Sequence, residues 1–176
     1  MKQYKSLDDE VVFLHRKLED TVDLRRLQTE CWNLMTEVPF NETNQICLQT
    51  GGKNDWYEGT GAMTQGEDLS KFDALHPKLI GTWWESFFDS LPYHVSRTRI
   101  ARLLPRRCYS VHQDFHRTLH IAIHTNPKSY FLFIEEQKLI HIAQDSHIWY
   151  VDTKRPHTAF NGGNDSRFHL MMRVDD

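Results

Sequence analysis

Nowhere does this chain approach the ~20 consecutive apolar residues that a membrane-spanning helix needs, so no span is expected. Cysteine is scarce: Cys31, Cys47 and Cys108 are an odd, widely spaced set without a C-x-x-C pair. That argues against a disulfide scaffold or a structural zinc site and for reduced, buried thiols. Basic charge is not in excess either. A net charge of −3 announces no nucleic-acid partner, and the local cluster Arg97, Arg99, Arg102, Arg106 and Arg107 reads as strand surface. Internal repeats, low-complexity segments and a visible domain boundary are all missing. Met1 to Lys5 is followed by acidic residues and not by the apolar core of a leader peptide. The expectation is a soluble cytoplasmic protein, with no membrane or nucleic-acid partner.

What is present suits a globular domain. The 176 residues are 39% hydrophobic and 26% charged, enough for a core inside a solvated surface. We expect one domain over 1–176, with 1–96 as helical and loop-rich support and 97–176 as a β-barrel. Residues 11–18 read as a short strand. From about Asp20, the residues Leu24, Leu27, Cys31 and Leu34 recur every three or four positions, with Arg25, Arg26, Gln28 and Glu30 between them. This is the pattern of an amphipathic helix, and Asp20, Thr21 and Asp23 are candidate caps. Residues 44–49 read as a strand entering a polar stretch, 51–68, too rich in turn residues for regular structure. Trp56 and Tyr57 inside it either tuck onto the core or cover a pocket. A second helix begins near Pro77 and carries Leu79, Ile80, Trp83, Trp84, Phe87, Phe88 and Leu91 as a broad apolar stripe, ending at Pro92. A sheet is the obvious surface to cover it.

After Ser96 the texture changes to runs rich in β-branched and aromatic residues, over 98–104, 108–114, 118–125, 130–135, 139–143, 147–151, 158–161 and 167–174. Eight short strands are the number a double-sheet jelly roll requires. Helices first and strands later fit a mainly β fold, a cupin-like double-stranded β-helix with N-terminal helices packed on one sheet. In the run from Thr118, alternation sets Leu119, Ile121 and Ile123 against Thr118, His120, Ala122 and His124. The last run sets Phe168, Leu170, Met172 and Val174 against Arg167, His169, Met171 and Arg173. The polar side of such strands either faces water or turns inward to line a ligand pocket.

Eight of the 11 histidines fall after residue 110. If 109–114 is a strand, Ser110, His112 and Asp114 share one face, where a histidine and a carboxylate two apart can grip one metal ion. Several short strands separate this pair from His157, enough chain to bring a third ligand back, and Arg167 follows ten residues later. Two histidines and a carboxylate on one side of an ion, with the other side open, suit non-haem Fe(II) handling oxygen. A rival local reading exists, because His112, His116, His120 and His124 recur every four residues as a helical zinc pair would. Val111, Thr118, Ile121 and Ile123 favour strand instead, and no HExxH glutamate is present. Taken singly, each signal has a bland reading as solvated strand or turn surface; their combination within one barrel points to a site.

At this constellation the chain resembles the Fe(II)- and 2-oxoglutarate-dependent oxygenases, in the aspartyl/asparaginyl β-hydroxylase-like branch that includes bacterial proline hydroxylases. The matching pieces are Arg-Ile-Ala-Arg-Leu-Leu-Pro, His112-Gln-Asp114, Leu119-His120-Ile-Ala-Ile, Trp149, His157, Asn161-Gly162, and Arg167 leading to Leu170 and Val174-Asp175. They lie within residues 97–176. The resemblance implies His112, Asp114 and His157 as iron ligands, Arg167 as the holder of the distal carboxylate of 2-oxoglutarate, and His120 as a second co-substrate contact. It also implies O2 as oxidant and an amino-acid, peptide or other small-molecule substrate. Departures are Thr118 where many members carry arginine, and Pro105-Arg106 in place of a Pro-Gly turn. Arg99 or Arg102, if inward, would meet a substrate carboxylate, and Trp56, Tyr57 and Trp149 would wall the pocket. The alternatives are a cupin-type metalloenzyme that uses no 2-oxoglutarate and a non-catalytic ligand-binding barrel.

Overall fold

The structure, a computed structural model, describes residues 2–7, 13–63 and 66–174; Val11 and Val12 of the first expected strand, Thr64 and Gln65 of the 51–68 stretch, and Asp175 lie outside the described residues. In chain order come β1 (His15–Thr21), α1 (Leu24–Glu37), β2 (Gln45–Cys47), β3 (Gln49–Thr50), β4 (Ala74–Leu75) and α2 (Trp83–Ser90). The barrel strands follow: β5 (Val95–Leu103), β6 (Arg107–Cys108), β7 (Arg117–His124), β8 (Ser129–Phe133), β9 (Lys138–Ile140), β10 (His147–Val151), β11 (His157–Asn161) and β12 (Arg167–Val174).

Strand pairing is antiparallel throughout and follows a double-stranded β-helix. The larger sheet runs β1-β10-β7-β12-β5-β2 and the smaller β6-β11-β8-β9, so the eight barrel strands divide four and four between two facing sheets, alternating along the chain except at the β8–β9 hairpin. β1 and β2 extend the two edges of the larger sheet, and β3 pairs with β4 as a separate ribbon.

The alternation read in the two histidine-bearing runs is observed. Leu119, Ile121, Ile123, Leu170, Met172 and Val174 point outward into a core shared with α1 and α2. Their neighbours point between the sheets, where Leu103, Ala122, Phe131, Phe133, Val151 and Ala159 pack together and His120, Arg167 and His169 are buried. α1 forms where the three-and-four spacing placed it, with Leu27, Cys31 and Leu34 buried, each buried leucine stabilising by about 1.5–3 kcal/mol. Its cap is Asp23, whose carboxylate accepts the Arg26 amide at 3.0 Å; Asp20 and Thr21 belong to β1 instead.

Two expectations are corrected. The second helix is split into a single 3-10 turn, Pro77–Leu79, and α2. Between them Gly81 takes a left-handed φ of 76°, Ile80 turns out to solvent, and Thr82 caps α2 by accepting the Trp84 amide at 3.3 Å. The strand expected over 108–114 stops after Cys108, and this thiol is exposed while Cys31 and Cys47 are buried.

Candidate functional site

Between the sheets lies a cavity of about 470 Å³. Residues 109–114 follow one wall of it without forming a regular strand. Tyr109 donates its amide to the Ala159 carbonyl (3.0 Å), and His112 and His157 exchange both main-chain bonds (3.0 and 2.8 Å). The chain then leaves β11, and the Asp114 amide reaches the Thr153 carbonyl at 2.7 Å. That departure breaks the ladder, yet His112 and Asp114 both still face the cavity.

His112, Asp114 and His157 come together there: one donor atom from each lies within 4.8 Å of the others. His112 Nε2 is 4.0 Å from Asp114 Oδ1, and the two imidazole centroids are 4.5 Å apart. The outer nitrogens are already committed. His112 Nδ1 lies 2.8 Å from the Ser110 carbonyl and His157 Nδ1 lies 2.8 Å from that of Arg155. A carbonyl oxygen only accepts, so each Nδ1 carries the proton and each Nε2 is left with a free lone pair. Burial, and then the neighbouring His112, push the His157 pKa below the ordinary histidine value, which keeps this imidazole neutral and able to ligate. Two imidazole nitrogens and a carboxylate oxygen on one wall of an open cavity are a donor set that fits a divalent iron with positions to spare.

Arg167 opens β12 on the inward face and also lines the cavity. It is wholly buried, its guanidinium sits over the Phe131 ring at 5.4 Å, and its Nε has no hydrogen-bond partner. Burial lowers its pKa to about 10, so it stays charged at neutral pH. A buried cation with no carboxylate partner among the described residues is set to receive one from a ligand. His120 is also wholly buried but does not line the cavity. Its Nε2 meets Thr118 Oγ1 at 2.9 Å, its Nδ1 lies 3.4 Å from that of His169, and its ring packs edge-on against Phe131.

Other expected wall residues lie elsewhere. Trp56 stacks on His76 at 3.7 Å, Tyr57 donates to the Pro39 carbonyl at 2.5 Å, and Trp149 donates to Asp145 at 3.2 Å. Trp56 and Tyr57 therefore tuck onto the helix-side core, while Gly61, Ala62 and Met63 of the same segment do line the cavity. The arginine cluster read as strand surface is divided. Arg102 faces out, paired with Asn44 and stacked over Phe40, whereas Arg97 and Arg99 are 4% exposed and line the cavity.

Arg97 takes a left-handed φ of 49° and donates to the carbonyls of Gly59 (2.6 Å) and Gly61 (2.8 Å), tying the 51–68 segment to β5. Arg99 Nη1 donates to the Arg97 carbonyl at 3.1 Å. His116, which the sequence marked only as one step of a four-residue histidine repeat, lies in the cavity wall with neither ring nitrogen partnered among the described residues, and burial lowers its pKa to about 3. Alternation along the 98–104 run was the available signal for Arg99, since it shares the inward parity of Ala101 and Leu103.

No helix of the described residues is long and apolar enough to cross a membrane. No curated protein matches the sequence. Among solved structures, an oxidoreductase of the 2OG-Fe(II) oxygenase family from Burkholderia pseudomallei has a TM-score of 0.54 at 12% identity, over 91% of this chain and 84% of its own. A viral collagen prolyl hydroxylase from Paramecium bursaria Chlorella virus-1, solved with 2OG, has a TM-score of 0.51 at 12% identity, over 93% of this chain and 96% of its own. At that identity the likeness speaks to the fold, which agrees with the strand order above. The family model for aspartyl/asparaginyl beta-hydroxylase matches residues 22–176. With nearly its whole length matched, this chain belongs to the aspartyl/asparaginyl β-hydroxylase family and is a hydroxylase enzyme.

Proposed function

We propose that His112, Asp114 and His157 hold the iron, that Arg167 receives the distal carboxylate of 2-oxoglutarate, and that the reaction hydroxylates a C–H bond of an amino-acid or peptide side chain. The observation that carries this reading is the meeting of two free Nε2 lone pairs and a carboxylate beside a buried, unpaired guanidinium in one cavity. When bound, iron and 2-oxoglutarate supply the activation of O2 that C–H hydroxylation needs, with succinate and CO2 as co-products.

The chain's own residues position and shield. The carbonyls of Ser110 and Arg155 hold both imidazoles in the ligating tautomer. Arg167 offers a planar fork that a lysine would not reproduce, and Phe131 supports its face. In this reading His120 acts through Phe131 as a positioning residue and does not contact the co-substrate. The family name makes an aspartyl or asparaginyl side chain the first substrate to test. We also place the protein in the cytoplasm, a reading supported by three unpaired cysteines.

The test is to supply the purified chain with Fe(II), 2-oxoglutarate and O2, and to screen free amino acids and short Asp- or Asn-containing peptides. Succinate is expected to form in step with a product one oxygen heavier. Protein that binds metal yet forms no succinate with any of these substrates refutes the hydroxylase assignment.

A further inference from the structure

We propose that Thr153, Thr118 and His120 are positioning residues of the metal site. With His169 they form one directional chain of hydrogen bonds that ends on the backbone of residues 114–116 and sets Asp114 against His157. The proposal rests on the iron reading and deepens it by naming what fixes the geometry of the three ligands.

Asp114 needs such a support, because the chain leaves β11 after His112 and the ladder no longer holds it. Thr153, in the turn after β10, supports it twice. Its carbonyl accepts the Asp114 amide at 2.7 Å, and its hydroxyl donates to the His116 carbonyl, also at 2.7 Å. Two residues on, the Arg155 carbonyl holds His157 Nδ1 at 2.8 Å. One turn therefore fixes two of the three ligands relative to each other, and contacts of this outer kind govern how tightly a ligand set holds its metal.

The Thr153 hydroxyl is in turn directed from behind. Thr118, His120, Thr153 and His169 are all buried, none more than 1% exposed, and Thr118 and His120 share the inward face of β7. A hydroxyl carries one hydrogen. Thr153 gives its own to His116, so across the 3.5 Å contact with Thr118 Oγ1 it accepts and Thr118 donates. Thr118 must then accept from His120 Nε2, at 2.9 Å, which puts the His120 proton on that nitrogen. Burial keeps both histidines neutral. His120 Nδ1 is therefore an acceptor, and His169 Nδ1 donates to it at 3.4 Å. The chain ends on His169 Nε2, a lone pair with no partner among the described residues. The opposite polarity would leave His169 with an unmet buried N–H and Thr153 without a hydrogen for His116. The links of 3.4 and 3.5 Å are weaker than the two short ones, so influence on the metal site should fall from Thr153 through Thr118 to His120.

The experiment is anaerobic Co(II) titration of the full chain, read by visible absorption, in the wild type and in threonine variants. Thr153→Val should weaken Co(II) binding about 10- to 100-fold and change the band shape. Thr153→Ser keeps the hydroxyl and should stay within about threefold of the wild type. Thr118→Val should weaken binding about threefold or more, and adding it to Thr153→Val should cost nothing further, because their link is then already broken. Thr98→Val is the control: that hydroxyl is equally buried but has no partner among the described residues, so Co(II) affinity should hold. Wild-type affinity in either Thr153→Val or Thr118→Val, no rescue by serine, additive losses in the double variant, or an equal loss in Thr98→Val overturns the proposal. Should Thr153→Val fail to fold, Thr153→Ala and Thr118→Val carry the same test. Wild-type protein that takes up no Co(II) sinks the iron reading instead, and amide hydrogen exchange of the metal-free chain then decides the hydrogen-bonded chain. The Asp114 amide should exchange about tenfold faster or more in Thr153→Val, with β7 and β12 protected as in the wild type; equal exchange overturns it.

Discussion

Arg167→Met separates what the fold needs from what the ligand needs. The guanidinium is wholly buried, rests on Phe131 and leaves its Nε unpartnered, so the free protein carries a desolvated charge with little return. Replacing a buried charge by an apolar side chain of similar volume is commonly neutral or stabilising by about 1–4 kcal/mol. At about 2–4 °C per kcal/mol for a chain of this size, the melting temperature of the ligand-free variant should hold or rise, by up to about 16 °C. The same substitution removes a charge-assisted, two-pronged contact to the distal carboxylate. Removing one member of a buried charged pair costs about 2–5 kcal/mol in binding, a loss of roughly 30- to several thousand-fold in 2-oxoglutarate affinity. Scanning calorimetry and titration of 2-oxoglutarate into the Mn(II)-loaded protein read the two effects side by side. A lower melting temperature with unchanged 2-oxoglutarate affinity would refute the reasoning, because Arg167 would then be a structural group already satisfied by the fold.

Three further outcomes follow from the structure. Burial lowers the pKa values of His116 (to about 3), His120 and His169, so below pH ~6.5 the unfolded chain binds more protons than the folded one. Stability of the metal-free protein should therefore be full above that pH. It should fall as pH drops toward the folded values, by up to about 1.4 kcal/mol per pH unit for each histidine; a flat pH 5–7 melting profile contradicts this. Arg97→Met removes the bonds to the Gly59 and Gly61 carbonyls. It should speed amide hydrogen exchange in 59–63 at least tenfold while leaving β7 and β12 protected, and equal exchange in both proteins argues against the tether. In Gly163→Ala the new Cβ would stand 2.5 Å from the Asn126 side chain, which donates to Asn161 at 2.9 Å. A loss of about 1–3 kcal/mol in urea unfolding is expected, and an unchanged midpoint would show that the turn yields freely.

Much of the fold was legible because its signals are local. The period-2 pattern at 118–125 and 167–174 separates helix-side residues such as Leu119 and Met172 from inward ones such as His120 and Arg167. The heptad-like spacing of Leu24 to Leu34 likewise places α1. The errors arose where tertiary contacts decide. Residues 109–114 alternate as a strand would, but Asp114 bonds to Thr153 and not to the next residue of β11, and nothing local to the sequence marks that departure. Arg97 and Arg99 resemble solvated strand residues, and whether a polar face turns to water or to a cavity depends on the facing sheet. Gly81 is a breaker inside the second expected helix that the apolar stripe around it hides. The four-residue histidine repeat pointed His116 toward a helix that does not form; only the assembled wall reveals that its two nitrogens lack partners among the described residues.

The central claim is that His112, Asp114 and His157 together hold one metal ion. Anaerobic titration of the purified chain with Co(II), followed by its visible absorption, tests this most directly. The account predicts saturation at one equivalent per chain in the wild type, and loss of that tight site in His112→Ala, Asp114→Ala and His157→Ala alike. One equivalent retained by all three variants, or none taken up by the wild type, would contradict it.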